Sequence, residues 1–111
     1  MSVLVTGAGG FVGAYLVKTL LENAIHVKAL STRPIETLAL HSYKLSLRSE
    51  FLCEDVKFLN GVNCIVHLAG LAHRKGLDVP SEEEYMQVNY HYPLKLARLA
   101  VDNGVKRFVF V

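Results

Sequence analysis

The feature that most constrains the fold is the start of the chain, where an apolar run meets a cluster of glycines. Residues 2–13 read SVLVTGAGGFVG, and an amphipathic stretch follows them. A strand that ends in closely spaced glycines lets the backbone approach an anion, and the free N–H groups of the following helix stabilise that anion. The pattern therefore predicts a strand, a tight turn and a helix that together hold a phosphate or pyrophosphate group.

The spacing of these glycines narrows the interpretation. The common G-x-G-x-x-G pattern would need a glycine where the chain has Val12, whereas the register T-G-x-x-G-x-x-G fits. Gly7 would then permit the tight turn, Gly10 the close approach of a pyrophosphate, and Gly13 the packing of helix on strand. The N–H groups of Phe11 and Val12 would face the phosphate. The alternative is a strand–helix connection that binds nothing.

Short apolar runs alternate with longer amphipathic runs along the chain, which is typical of βαβ units. The predicted fold class is therefore α/β, with a Rossmann-type parallel sheet of about five strands flanked by helices. Right-handed crossovers give the strand order 3-2-1-4-5. The predicted strands are 2–6, 26–30, 43–47, 64–68 and 107–111, and the predicted helices are 10–22, 35–41, 55–60 and 82–103.

Two helices carry more detailed predictions. The first is expected to end at Asn23 in the left-handed conformation, although glycine is more usual there. The long helix is expected to begin at a capping box formed by Ser81 and Glu84. The apolar face of the first helix is expected to bury Val12, Leu16 and Leu20.

Composition limits the classes of partner. With 111 residues the chain makes one domain, and its 51% hydrophobic content suits a sheet buried on both faces. The 12 basic and 10 acidic residues are interspersed, so neither nucleic acid nor a membrane surface is predicted as a partner. Cys53 and Cys64 form no CxxC pair and no cluster with the five histidines. No metal site and no disulfide are predicted, and two reduced thiols indicate a cytoplasmic location.

Four segments in order resemble a known family. They are the glycine turn at 6–13, the run GVNCIVHLAG at 61–70, the pair Val88-Asn89, and GVKRFVFV at 104–111. Together they resemble the extended short-chain dehydrogenase/reductases, in particular the nucleotide-sugar epimerase/dehydratase branch. The resemblance covers the whole chain. It implies NAD or NADP as cofactor, a nucleotide-sugar substrate for the full-length parent, and transient hydride transfer at a sugar hydroxyl.

The resemblance also implies which residues contact the cofactor. The matching positions are Gly7, Gly10, Phe11, Val12, Gly13, Ser31, Arg33, Leu68, Ala69, Gly70 and Asn89. After the second strand the chain reads Ser31-Thr32-Arg33, with no carboxylate before Glu36. Charge alone would favour the 2′-phosphate of NADP, but an arginine in a loop is as often only solvated, so both cofactors stay open. The family's adenine-contacting aspartate has no counterpart at 45–47.

Two further residues lie near the implied site. His67 ends the fourth strand and is interpreted as a buried, hydrogen-bonded structural histidine rather than a catalytic one. Asn89 matches a family asparagine near the catalytic group and is given a supporting role. Pro93 has no N–H for the carbonyl of residue 89, so the helix should kink there. The freed carbonyl would hold a water, or the irregularity would serve packing alone.

The catalytic pair that the resemblance implies is missing. The family uses a tyrosine followed four positions later by a lysine, whose charge lowers the pKa of the phenol. None of the five tyrosines has a lysine at that spacing. Residues 1–111 are therefore predicted to be the N-terminal part of a dinucleotide-binding domain, inactive alone and without the substrate domain. The alternatives are a non-catalytic NAD(P) sensor and an interaction module that self-associates through the edge at 107–111.

Overall fold

The computed structural model describes residues 1–31, 41–44, 57–69 and 81–111. The strands are β1 (Ser2–Thr6), β2 (His26–Ser31), β3 (His41–Lys44), β4 (Cys64–His67) and β5 (Arg107–Phe110). The helices are α1 (Phe11–Glu22), α2 (Glu82–Met86) and α3 (Tyr92–Asp102), with a 3-10 turn at Lys57–Leu59 and a π-helical turn at Gln87–His91.

The five strands form one parallel sheet in the order β3-β2-β1-β4-β5. Both the fold class and the strand order predicted from the sequence are confirmed. The register sets Thr6 beside Leu30 on one side and His67 on the other, and His67 lies beside Phe110. The carboxyl ends of β1, β2, β4 and β5 therefore meet at one edge of the sheet, which is where parallel sheets bind their ligands.

Each face of the sheet is covered by a helix. On one face Leu4 and Ile65 pack with Leu96 and Ala100 of α3. The opposite face is formed by residues such as Val5, and α1 contributes the buried Val17 to that cluster. Full burial of an aliphatic side chain contributes about 1.5–3 kcal/mol, so the two clusters hold both helices against the sheet.

Three predicted boundaries are wrong in part. β3 begins at His41, two residues before the predicted strand, and the helix expected over 35–41 is contradicted at its last residue. The pairing of Lys28 with His41 explains this, because tertiary pairing overrides local propensity. The helix expected over 55–60 is a 3-10 turn of three residues, too short for α-helical hydrogen bonds. The remaining positions of these predictions, 32–40, 45–47 and 55–56, lie outside the described residues.

The long helix is interrupted just before Pro93. Proline has no N–H, so the α-helical bond to the carbonyl of Asn89 cannot form, and the chain widens into the π-helical turn Gln87–His91. Pro93 itself is buried in the first turn of α3. The sequence predicted a kink here; the structure has a π-helical turn at this place, and the long helix consists of three segments.

The buried face of α1 differs from the predicted one. Val12 is 61% exposed, whereas Gly13 and Val17 are buried. Leu16 and Leu20 pack against the core as partly buried residues. Because Gly13 carries no side chain, α1 can pack on the sheet at that residue. The side of the helix that faces the sheet is then the one with Gly13 and Val17, and Val12 faces solvent.

The end of α1 corrects the prediction for Asn23. The left-handed residue is Ala24, with φ 57°, and Asn23 has φ −97°. The N–H of Ala24 donates to the carbonyl of Leu21 at 3.0 Å, and the N–H of Ile25 donates to that of Leu20 at 3.1 Å. These two bonds form a Schellman motif, in which the residue after the C-cap takes the positive φ. The helix ends at Glu22 as predicted, and the left-handed position lies one residue later than expected.

Replacing Ala24 by glycine is expected to stabilise the fold. A left-handed alanine costs on the order of 1 kcal/mol that glycine does not. The matched position in α3 is Gly104, which has φ 76° and donates to the carbonyl of Val101. Urea unfolding should show Ala24→Gly gaining about 1 kcal/mol and Gly104→Ala losing about as much. A lower midpoint for Ala24→Gly would contradict the prediction.

Candidate functional site

The glycine turn lies at the carboxyl end of β1 and leads into α1. Gly7 has φ 67°, and its carbonyl accepts the N–H of Gly10 at 3.0 Å. Gly10 is the N-cap of α1 and has extended geometry, and its carbonyl accepts the N–H of Ala14 at 2.9 Å. The first N–H groups of a helix have no acceptor within it, and no acidic residue occupies the first turn of α1. The turn can therefore donate several N–H groups to one anion.

Gly7 and Gly13 are required by the packing of the turn itself. A Cβ on Gly7 would lie 2.8 Å from the nitrogen of Ala69 and 2.9 Å from the carbonyl carbon of Leu68. A Cβ on Gly13 would overlap the carbonyl oxygen of Gly7 and lie 2.8 Å from its carbonyl carbon. All of these are backbone atoms, which cannot rotate away. The roles predicted for both glycines, a tight turn and helix-on-strand packing, agree with this geometry.

Gly10 differs from its two neighbours in the pattern. It has φ −80°, and a Cβ there would meet one atom, the carbonyl oxygen of Gly7, at 3.3 Å. A side chain at this position therefore requires the Gly7 carbonyl to move by a few tenths of an ångström, a smaller change than a Cβ at Gly7 or Gly13 would require. Apart from its chain neighbours and its own helix, no other atom of the described residues lies within 4 Å of the Gly10 Cβ position.

Gly9 has a role that the spacing pattern did not indicate. A Cβ on Gly9 would lie 2.5 Å from Oγ of Ser31, which is 5% exposed at the end of β2. The N–H of Ala8 also donates to the carbonyl of Leu30 at 3.2 Å. The loop is thus held against β2 beside Ser31, and the contact of Ser31 with the cofactor stays a prediction. The sequence contained one sign of this role, because Gly9 stands next to Gly10 although the spacing of the motif does not require a glycine at position 9.

A buried threonine connects β1 to the end of β4. The Oγ1 of Thr6 accepts the N–H of Leu68 at 3.1 Å and the N–H of Ala69 at 3.2 Å. Thr6 is fully buried, and the same oxygen lies 2.7 Å from Nδ1 of His67. No role for this hydroxyl was predicted, because the contact joins residues more than 60 positions apart. It fixes the backbone of the β4 end beside Gly7.

His67 is the buried, hydrogen-bonded histidine that the sequence predicted. Its exposed fraction is 2%, and its ring stacks on Phe108 and Phe110 with centroid distances of 6.1 and 5.7 Å. Burial lowers the pKa of His67 to about 4, so the ring is neutral at neutral pH. Within the part of the chain that the structure describes, Nε2 has no hydrogen-bond partner.

The predicted cofactor residues fall into four groups. Those that meet at the carboxyl edge of β1, β2 and β4 are Gly7, Gly10, Gly13, Ser31, Leu68 and Ala69. Phe11 and Val12 begin α1, and their side chains are 95% and 61% exposed. Asn89 lies in the π-helical turn and is exposed. Arg33 and Gly70 lie outside the described residues.

Neither a cluster of metal ligands nor a membrane-spanning helix occurs in the described ranges. Residues 1–31, 41–44, 57–69 and 81–111 contain no group of three or more histidine, cysteine or carboxylate side chains able to hold a metal ion. In the same ranges, no helix has the length and apolar character needed to cross a membrane. The glycine turn and the strand ends around it are therefore the candidate site.

Known proteins share this arrangement. Residues 3–111 match the model of the NAD dependent epimerase/dehydratase family. The UDP-glucose 4-epimerase of Vibrio cholerae is 32% identical over 117 residues, which cover 99% of this chain and 34% of that protein. The 3-beta-hydroxysteroid dehydrogenase of Mycolicibacterium neoaurum is 35% identical over 114 residues, which cover 97% of this chain and 31% of that protein.

A solved structure gives the same result in three dimensions. MoeE5 in complex with UDP-glucose and NAD superposes with a TM-score of 0.84 at 33% identity, covering 99% of this chain and 36% of that one. The chain spans about a third of the length of the curated relatives it matches. Since the family model matches nearly every residue, and the glycines of its motif occupy one turn at the sheet edge, the chain belongs to the NAD dependent epimerase/dehydratase family.

Proposed function

We propose that this chain binds NAD at the glycine turn and serves as part of the dinucleotide-binding domain of an epimerase, dehydratase or dehydrogenase. The observation that carries the proposal is Gly10, which the fold does not require to be glycine. A pyrophosphate in front of Gly10 explains why this position has no side chain. The solved relative MoeE5, which is 33% identical, was crystallised with NAD and UDP-glucose.

The chain's own groups would bind and orient the cofactor. The N–H groups of Phe11 and Val12 open a helix of 12 residues, whose positive end carries about half an elementary charge. A pyrophosphate placed there gains hydrogen bonds and charge stabilisation without repulsion from an acidic first turn. The backbone of Leu68 and Ala69 forms the wall beside Gly7, and Ser31 lies at the β2 side.

The chemistry would be completed by other residues. Bound NAD+ would accept a hydride from the carbon atom that bears the substrate's hydroxyl group. No tyrosine of this chain precedes a lysine by four positions, so the base is proposed to lie elsewhere in a longer protein, and this chain alone should turn nothing over. We propose a nucleotide sugar as the substrate of that protein, because MoeE5 was solved with UDP-glucose and a second relative is a UDP-glucose 4-epimerase.

Calorimetric titration with NAD+ and NADP+ tests the cofactor. NAD+ is expected to bind at least about tenfold more tightly, and Arg33→Ala should change its affinity by less than about threefold. If Arg33 instead pairs with a 2′-phosphate, NADP+ binds more tightly and loses about tenfold in the variant. That second pattern would contradict NAD as the cofactor. Absence of heat with either dinucleotide would contradict the binding function itself.

A sensor or interaction module is the second candidate. It is favoured by the missing tyrosine–lysine pair and by the exposed residues Val109, Phe110 and Val111 at the β5 end of the sheet. Light scattering of the purified chain, with and without NAD+, separates the candidates. A monomer that binds NAD+ supports the domain of an enzyme, and an oligomer that binds no dinucleotide supports the interaction module. A cytoplasmic location stays a prediction from cysteine usage.

A further inference from the structure

Thr6 and His67 form a buried cluster in which several hydrogen-bonding groups meet at one hydroxyl. The hydroxyl of Thr6 is approached by three nitrogen atoms, those of Leu68 and Ala69 at 3.1 and 3.2 Å and Nδ1 of His67 at 2.7 Å. The Thr6 side chain is fully shielded from solvent and that of His67 is 98% shielded. In such a site each hydrogen bond is strong, and each unsatisfied group is costly.

Counting protons assigns the direction of each bond. A hydroxyl has one proton and two lone pairs, and a backbone N–H can only donate. The N–H of Leu68, which is shared with the backbone carbonyl of Thr6 at 3.3 Å, and the N–H of Ala69 therefore take the lone pairs of the Thr6 hydroxyl oxygen. The Thr6 proton is left for Nδ1 of His67. Nδ1 must be the unprotonated nitrogen of the ring, and the proton of neutral histidine then lies on Nε2. The lowered pKa of His67 agrees with a neutral ring.

We propose that His67 is a positioning residue of the dinucleotide site. By accepting the Thr6 proton it fixes the rotation of the hydroxyl, so that both lone pairs face the N–H groups of Leu68 and Ala69. This inference rests on the proposed binding of NAD. It assigns to His67 a function beyond filling space at the end of β4.

The connection from His67 to the ligand runs through backbone contacts. The Leu68–Ala69 peptide lies so close to Gly7 that a Cβ would come within 2.8 Å of the Ala69 nitrogen. The carbonyl of Gly7 in turn accepts the N–H of Gly10, the residue in front of which the pyrophosphate is placed. A shift of the β4 end would therefore change the distance between the Leu68–Ala69 backbone and the glycine turn, which lie on two sides of the proposed binding site. Even a small shift matters, because the groups that bind a ligand must be held within about 0.5 Å of their productive positions.

The competing interpretation is that His67 matters only as a ring that stacks on Phe108 and Phe110. Two substitutions separate the roles. His67→Phe keeps a ring for stacking and removes the acceptor, whereas His67→Asn removes the ring and keeps an oxygen acceptor near the place of Nδ1. Each variant is first checked for folding by circular dichroism, and then for NAD+ affinity by calorimetry and for amide hydrogen exchange at Leu68 and Ala69.

The acceptor role predicts that the two variants diverge. His67→Phe should lose about tenfold in NAD+ affinity, and its Leu68 and Ala69 amides should exchange on the order of tenfold faster. His67→Asn should stay within about threefold of the wild type in both measurements. Equal behaviour of the two variants, or a larger loss in His67→Asn, would overturn the proposal. The exchange measurement needs no ligand.

A second pair of variants covers failure of His67→Phe to fold. Thr6→Val removes the hydroxyl at nearly constant shape and should weaken NAD+ binding about tenfold, whereas Thr6→Ser should retain binding. Where His67→Phe does fold, adding it to Thr6→Val should cause no further loss, because the two residues act as one unit. An additive loss would overturn the proposal. If the wild type bound no NAD+, the proposed function would fail first, whereas unchanged binding in Thr6→Val would refute this inference alone.

Discussion

Alanine at position 13 is expected to destabilise the fold strongly. The new Cβ would overlap the carbonyl oxygen of Gly7 and lie 2.8 and 2.9 Å from Gly7 C and Ala8 Cα. These atoms belong to a turn that is bonded to Gly10 and packed on the β4 end, so α1 would have to leave the sheet. Forced overpacking costs about 1–3 kcal/mol, and more where backbone cannot yield. A domain of this size is stable by only about 5–15 kcal/mol.

Urea unfolding followed by circular dichroism measures this loss, and we expect Gly13→Ala to lower the free energy of unfolding by at least about 3 kcal/mol. Gly10→Ala is the matched control, since it adds the same methyl group three residues earlier and, among the described residues, meets one atom at 3.3 Å. Its free energy of unfolding should stay within about 1 kcal/mol of the wild type. Equal midpoints for Gly13→Ala and the wild type would show that α1 does not pack on the turn.

Valine at position 10 is expected to abolish NAD+ binding while the fold is kept. The extended geometry of Gly10 accepts a β-branched residue, and among the described residues a Cβ there would meet the carbonyl oxygen of Gly7 at 3.3 Å. The side chain would then fill the space in front of the first turn of α1, where the pyrophosphate is proposed to lie. Calorimetry should show a loss of at least about a hundredfold in affinity, which corresponds to about 2.8 kcal/mol.

Ala14→Val provides the control for this variant. Ala14 is exposed one turn further along α1, so valine there adds the same bulk away from the glycine turn. Binding should be unchanged in Ala14→Val, and both variants should show the wild-type circular dichroism spectrum. Retention of NAD+ affinity within about threefold in Gly10→Val would remove the glycine turn as the binding site, whatever the family of the chain.

Features that depend on local sequence were predictable. The alternation of apolar and amphipathic runs gave the parallel sheet and its order, since crossovers of one hand leave few topologies. The 7-10-13 spacing located the turn, and Pro93 located the irregular turn of the long helix. Each of these follows from the conformational properties of single residue types, namely glycine, proline and the alternation of side chains along a strand.

Features that depend on tertiary register were not predictable from the same patterns. The contact of Thr6 with His67 exists because β1 and β4 are adjacent in a register that sets these residues side by side. The exposure of Val12 and the left-handed Ala24 both follow from how far α1 rotates and extends on the sheet. Gly9 needs its missing side chain because β2 ends beside it, which no spacing within the motif reveals.

The tolerance of the fold at Gly10 has a consequence for how this family changes over time. One substitution there would leave a stable protein that still matches the family in every other segment, because the packing of the turn depends on Gly7 and Gly13 instead. A duplicated gene could therefore lose its ligand in a single step and survive as a folded protein with another use.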